Sequence, residues 1–144
     1  MESPGLTGTP FLLFDGDCAE AMTFYHECIG GDLTITPLRE TPLRESFPES
    51  MHDRTINAHL VCEGLAISAS DWMASDFRPV RGNMSAIAVR GEPDEHFRDM
   101  FDALKDGENN SHLQELHDLP FGLYGQFYDR YDVQWIFIGT LTAP

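Results

Sequence analysis

Between Asn57 and Asp71 the side chains alternate with the period of two half-buried strands. Asn57, His59, Val61, Ser68 and Ser70 fall on one face, and Ala58, Leu60, Cys62, Ile67 and Ala69 on the other. Glu63-Gly64 is the tight turn between them. The apolar face is expected to lie under a helix. The polar face, with an imidazole, an amide and two hydroxyls in mid-sheet, suggests the floor of a cleft.

The chain around that pair is built twice. Met1 to Thr9 reads as a loose arm and Pro10 to Phe14 as a short apolar strand. Asp15-Gly16 turns into a helix with Asp17 as N-cap and Glu20 completing a capping box. Ala21, Phe24, Tyr25 and Cys28 follow at helical spacing, Gly30-Gly31 ends the helix, and Asp32 to Thr36 is the next strand. Thr36-Pro37-Leu38-Arg39-Glu40 is then repeated at once as Thr41-Pro42-Leu43-Arg44-Glu45. Two prolines five apart exclude a regular helix or a central strand. Residues 37 to 53 are therefore expected to form a long mobile loop, read either as surface variation or as a functional lid. A second loop runs from Trp72 to Arg81. From Asn83 the order restarts: a strand from Met84 to Val89, a turn at Gly91, and a helix with Pro93 at N1. Phe97, Met100, Phe101 and Leu104 form the apolar face of that helix, and Gly107 stops it. His112 to Leu116, Tyr124 to Asp129 and Val133 to Ile138 are the closing strands. Both halves thus read strand, helix, glycine stop, three strands.

The 144 residues suffice for one domain with a real core. No apolar run approaches the roughly 18 residues of a membrane span, and the N-terminus lacks a signal core, so a cytoplasmic protein is expected. The formal charge of -15, with 24 acidic residues against 9 basic ones and Lys105 as the single lysine, repels phosphate backbones and anionic lipid. Neither nucleic acid nor membrane is an expected partner. The acidity itself reads as solubility or a salt-rich cytosol, or else as a surface for a cationic partner. Cys18, Cys28 and Cys62 are odd in number and form no CxxC, which argues against a disulfide framework and a zinc finger. Cys28 and Cys62 sit at apolar positions and are expected to be buried thiols.

A doubled βαβββ order at this length resembles the vicinal oxygen chelate superfamily, the glyoxalase, bleomycin-resistance and dioxygenase fold, and within it the PhnB-like branch. The matching residues run through most of the chain. They are Pro10 to Phe14 with Gly16, Cys18, Ala21, Phe24-Tyr25 and Gly30-Gly31; then Ala58, Leu60, Ser70-Asp71 and Met73. Gly82-Asn83, Phe101, Leu104 and Gly107 follow, and last come Phe121-Gly122, Tyr124-Gly125, Asp129, Val133 and Trp135. The resemblance implies an α+β fold of two βαβββ modules, about 10–72 and 83–139 of a single domain. They would form a curved, mostly antiparallel sheet around a cleft with the helices outside, and the protein would be a homodimer. Some members of the branch are described as demethylubiquinone methyltransferases, but this chain has no glycine-rich loop after a strand and no room for a doubly wound nucleotide-binding sheet.

Metal enzymes of the superfamily place ligands on the first and fourth strands of each module. Carried over, those positions fall near Pro10, Ser68, Met84 and Ile136, a set without the donors a divalent ion needs. A shift of one residue brings in Phe11, Ile67 or Ala69, Ser85, and Trp135 or Phe137, which is no better. The expectation is a metal-free site with no cofactor.

Where the branch often has a His-Ala pair, this chain has Asn57-Ala58, with His59 two positions on. His59 then reads as a polar anchor or general base, or as a partly buried histidine satisfied by Ser68 or Ser70. His112, His117 and Glu115 read as surface residues, and Trp135 as core. Phe121 stands near where the branch commonly has a tryptophan at the cleft mouth. The expected ligand-binding residues are Asn57, His59, Ser68, Ser70, Met84, Phe121, Gln126 and Ile136, for an unknown small molecule; no catalytic residue is assigned. The alternatives are a divalent-metal lyase, isomerase or dioxygenase, and a structural homodimer without a ligand.

Overall fold

The structure is a computed structural model in which residues 5–74, 78–106 and 113–140 are described. The chain divides into two compact units, Met1–Pro79 and Val80–Pro144. Both follow the βαβββ order.

The first unit runs β1 (Phe11–Phe14), α1 (Cys18–Ile29), β2 (Asp32–Pro37), β3 (Thr55–Cys62) and β4 (Leu65–Asp71). Its open sheet has the order β1-β4-β3-β2, with β1 parallel to β4 and the other two pairs antiparallel. A parallel neighbour requires a crossover, and α1 with the β2–β3 meander supplies it. Cys18, Ala21, Met22, Tyr25 and Ile29 recur every three or four residues and form the buried stripe of α1. That helix packs on β2, β3 and β4, whose Ala58, Leu60, Ile67 and Ala69 are buried. Gly31, at φ 89°, enters β2 so close to β3 that an added Cβ would lie 2.5 Å from the Val61 carbonyl oxygen.

The helix is capped, but not by the residue the local sequence points to. Asp17 has φ -109° and ψ 20° and makes no side-chain cap hydrogen bond, because that backbone does not turn its carboxylate over the helix end. Asp71, from the end of β4 and only 2% exposed, takes its place. Its Oδ1 accepts from the backbone N–H of Gly16 (2.8 Å) and Cys18 (3.0 Å), and its Oδ2 from that of Thr55 (2.8 Å). One carboxylate thereby joins β4, the start of α1 and the start of β3.

Residues 37–53, expected to be a mobile loop, are held in place. Three short 3-10 turns cover Leu38–Glu40, Pro42–Ser46 and Glu49–Met51. The backbone N–H groups of Leu38 and Arg39 donate to the carbonyls of Arg54 and His52, and Leu38 is fully buried. His52 Nε2 lies 2.8 Å from the Arg44 carbonyl and 3.1 Å from that of Phe47; since carbonyls only accept, Nε2 carries the proton. The prolines that forbid a longer helix are compatible with single 3-10 turns. The two copies of the repeat end in different surroundings, with Leu38 buried and Leu43 53% exposed.

The second unit runs β5 (Ile87–Gly91), α2 (Glu95–Lys105), β6 (Gln114–Leu119), β7 (Gly122–Tyr128) and β8 (Gln134–Gly139). Its sheet order is β5-β8-β7-β6, again with one parallel and two antiparallel pairs. The parallel strand begins at Ile87 rather than Met84, which is 97% exposed. Helix α2 starts two residues later than a proline at N1 would place it, because Asp94 caps it, accepting from the Phe97 N–H at 2.9 Å. Gly107, expected to stop the helix, and His112, expected to open the next strand, lie outside the described residues.

Phe97, Met100, Phe101 and Leu104 are the buried face of α2. Phe101 meets Phe127 and Phe137 edge-on at centroid distances of 5.1 and 5.3 Å. Gly125 makes room for this cluster, since a Cβ there would sit 2.7 Å from the Phe101 ring.

Asp129 lies just past β7 and is fully buried. Its Oδ1 accepts from the N–H of Tyr131 (2.8 Å) and Val133 (3.1 Å), and its Oδ2 from Trp135 Nε1 (2.8 Å). Trp135 is core, as its period-2 position implies. No helix among the described residues is long and apolar enough to cross a membrane.

Candidate functional site

Each sheet has a face turned away from its helix. In the first unit a row crosses all four strands, pairing Thr34 with His59, His59 with Ser68 and Ser68 with Phe11. Partners in a pleated sheet share a face, so the alternation read from 57 to 71 holds in register. Asn57 is exposed on this face, while His59, Ser68 and Ser70 are half-buried. His59 Nδ1 is 2.8 Å from Ser68 Oγ. Of the two readings of His59, this contact matches the histidine satisfied across the hairpin. Phe11, 57% exposed, ends the row on the edge strand.

In the second unit Gln126 pairs with Ile136, and the Tyr124 hydroxyl donates to Gln126 Oε1 at 2.9 Å. With its carbonyl engaged, Gln126 keeps its amide N–H groups as donors. Phe121 occupies the turn before β7, 59% exposed, with its ring 6.5 Å from that of Tyr124. Met84 has no strand neighbour and belongs to neither sheet face. The apolar run 84–89 has the composition of a strand throughout, but only its part from Ile87 on is paired.

The positions at which the superfamily holds a metal do not suit one here. Pro10 and Met84 lie outside the strands, Ile136 offers no donor, and the Ser68 hydroxyl is engaged by His59. Among the described residues no group of three or more His, Cys, Asp or Glu side chains could hold a metal ion.

Thiol chemistry is disfavoured at Cys18. The side chain is fully buried, and burial, then the neighbouring Asp71 and Asp17 carboxylates, push its pKa up to about 12. Cys28 and Cys62, the two expected to be buried, are only half so, and it is Cys18 that is sealed. The Cys62 thiol is also raised, by burial, against a lowering contact to the Leu65 carbonyl. A thiol reagent at pH 8 should leave Cys18 unlabelled in the native protein and modify it once denaturant is added, with mass spectrometry as the readout. Because the folded state holds this proton more tightly, the associated stability is present below pH 9 and is lost as pH rises toward 12. Alkaline melts of wild type should therefore lose more over that range than those of Cys18→Ala.

No protein-family model matches the chain, and no curated protein matches it. Solved structures do. Protein PA1353 from Pseudomonas aeruginosa is 28% identical, with 94% of this chain and 98% of that one covered at a TM-score of 0.78. A putative 3-demethylubiquinone-9 3-methyltransferase, PhnB protein, from Bacillus cereus is 21% identical over 94% of this chain and 100% of its own, at 0.69. A glyoxylase/bleomycin resistance protein/dioxygenase domain from Frankia is 15% identical over 96% and 100%, at 0.63. The chain has the vicinal oxygen chelate fold. The doubled βαβββ order is the one read from the sequence, and both sheets add to it the same strand order, first-fourth-third-second.

Two carboxylates among the described residues, Asp71 and Asp129, each accept three hydrogen bonds, and the sequence alone does not single them out as structural anchors. A signal was present in both places. Each extends the buried parity of an apolar strand, Ile67-Ala69-Asp71 and Leu123-Gly125-Phe127-Asp129, and a carboxylate at such a position must be met by donors.

Proposed function

We propose that this chain is a PhnB-like member of the vicinal oxygen chelate superfamily that binds a small molecule without a metal ion. In this reading it is a single domain of two modules, about 10–72 and 83–139, in a cytoplasmic homodimer. Binding is centred on the polar face of the first sheet, at Asn57, His59, Ser68 and Ser70. In the second unit, taken by itself, Gln126, Ile136 and Phe121 are the candidate contacts.

The observation that supports it is the His59–Ser68 hydrogen bond on a sheet face turned away from the helix. It engages one ring nitrogen and leaves Nε2 for a ligand. A histidine and a serine are two parts of a nucleophilic relay, and no carboxylate among the described residues orients the ring. The pair is thus equipped to hold a ligand rather than to attack one.

A thermal-shift screen of dialysed protein against hydrophobic antibiotics, quinones and short-chain thiol adducts tests this. At least one class should raise the melting temperature, in stability terms by about RT ln(1 + [L]/Kd), and His59→Ala and Ser68→Ala should remove the shift. A flat screen, or stoichiometric zinc, nickel, iron or manganese in the dialysed protein, would overturn the reading. Sedimentation should return twice the 16.2 kDa chain mass.

A further inference from the structure

On the open face of the second sheet a row crosses all four strands. His117 on β6 pairs with Tyr124 on β7, Tyr124 with Ile138 on β8, and Ile138 with Arg90 on β5. The adjoining row is Gln114, Gln126, Ile136 and Ala88. Neither row carries a carboxylate, in a chain that has 24 acidic residues.

The two ends of the row differ. At the β6–β7 end three rings form an open corner. Those of His117 and Phe121 stand nearly perpendicular to Tyr124, at 72° and 84°, with centroids 6.0 and 6.5 Å away. His117 is anchored there, its Nδ1–H donating to the Glu115 carbonyl at 2.7 Å. Both outer rings are exposed and Tyr124 is half-buried, so the corner presents aromatic surface to solvent.

At the β5 end stands Arg90, exposed. The other arginines and Lys105 are occupied: Arg39, Arg54, Arg78 and Lys105 pair with carboxylates. Arg44, Arg98 and Arg130 donate to backbone carbonyls, and Arg81 has a partner too. Among the described residues Arg90 is the cation that makes no hydrogen bond or ion pair. Acidic side chains outnumber basic ones by 24 to 9, and this guanidinium is nevertheless set on a face whose paired rows hold none of them.

We infer that this row binds an amphipathic aromatic acid. The ring stacks in the corner of His117, Phe121 and Tyr124, an aliphatic stretch crosses Ile138, and the carboxylate pairs with Arg90. Two strand spacings separate β7 from β5, about 10 Å, which sets the distance between ring and charge. The net charge of -15 opposes an anion at long range. At physiological salt the Debye length is about 8 Å, so the charge nearest the ligand decides, and on this face that charge is Arg90. The inference shares Phe121 with the contacts proposed above for the second unit and uses no atom of the His59–Ser68 pair.

Calorimetric titration of the full chain with phenylhexanoate and with the neutral phenylhexanamide tests it. Wild type should bind the acid about two- to fivefold more tightly than the amide, the scale of an exposed arginine–carboxylate pair. Arg90→Gln, at an exposed position where folding is not at stake, should erase that preference and leave amide binding unchanged. Tyr124→Leu should weaken both probes, and His59→Ala neither, which separates this site from the one on the first sheet. Equal affinity of wild type for acid and amide, a preference that survives Arg90→Gln, a Tyr124→Leu variant that binds as wild type does, or no binding of either probe would overturn it.

Discussion

Asp71→Ala should be the most destabilising polar substitution in the first unit, costing about 3–5 kcal/mol. Three backbone donors, on Gly16, Cys18 and Thr55, end on this one buried carboxylate, and truncation leaves all three without an acceptor. The loss is a large part of the roughly 5–15 kcal/mol that holds a typical domain folded. For a chain of this size it should lower the melting temperature by about 10 °C. Asp71→Asn should fall between alanine and wild type. An amide oxygen in the Oδ1 position keeps the bonds to Gly16 and Cys18 but turns an N–H group against Thr55. Calorimetric melts of the three proteins check the order. A variant Asp71→Ala that melts with wild type would mean that the carboxylate does not hold these elements together.

Asp129→Ala should be comparable in the second unit, at about 3–4 kcal/mol. The carboxylate closes the β7–β8 connection by accepting from Tyr131 and Val133, and it is also the acceptor for the buried Trp135 indole. Its loss leaves an indole N–H inside the core. Fluorescence supplies a second readout. The emission contributed by Trp135 should shift in Asp129→Asn, whose amide can preserve the turn while presenting its own N–H to the ring. Unchanged emission together with an unchanged melt would remove the indole contact from the account of this core.

What the sequence disclosed and what it hid divide along a physical line. Periodicity is local, so the alternation from Asn57 to Asp71, the stripe of Phe97, Met100, Phe101 and Leu104, and the buried place of Trp135 could be read directly, and with them the doubled element order. Partnerships between distant positions could not. Asp17 and Glu20 have the spacing of a capping box, yet the cap comes from Asp71 on another strand. Prolines at 37 and 42 exclude a regular helix or a central strand, and nothing local shows what else could fix the segment. The segment is instead tied down by backbone bonds to His52 and Arg54 and by one histidine that spans two carbonyls. Met84 shares the apolar character of the strand it precedes, and composition alone gives no reason for the strand to begin at Ile87. On the candidate site, the common face of His59 and Ser68 was legible. That Arg90 has no partner among the described residues was not, since it depends on where distant carboxylates end up.

The parallel pairing of β1 with β4 has a consequence for how the protein is made. During synthesis the greasy run from Pro10 to Phe14 leaves the ribosome early, but Phe11 meets its neighbour only when Ser68 has been added. At about 5–20 residues per second this naked segment waits for several seconds, without the strand that will shield it. Nascent chains halted before that point should be the ones that chaperones seize, and release should follow once Asp71 has itself emerged from the ribosome.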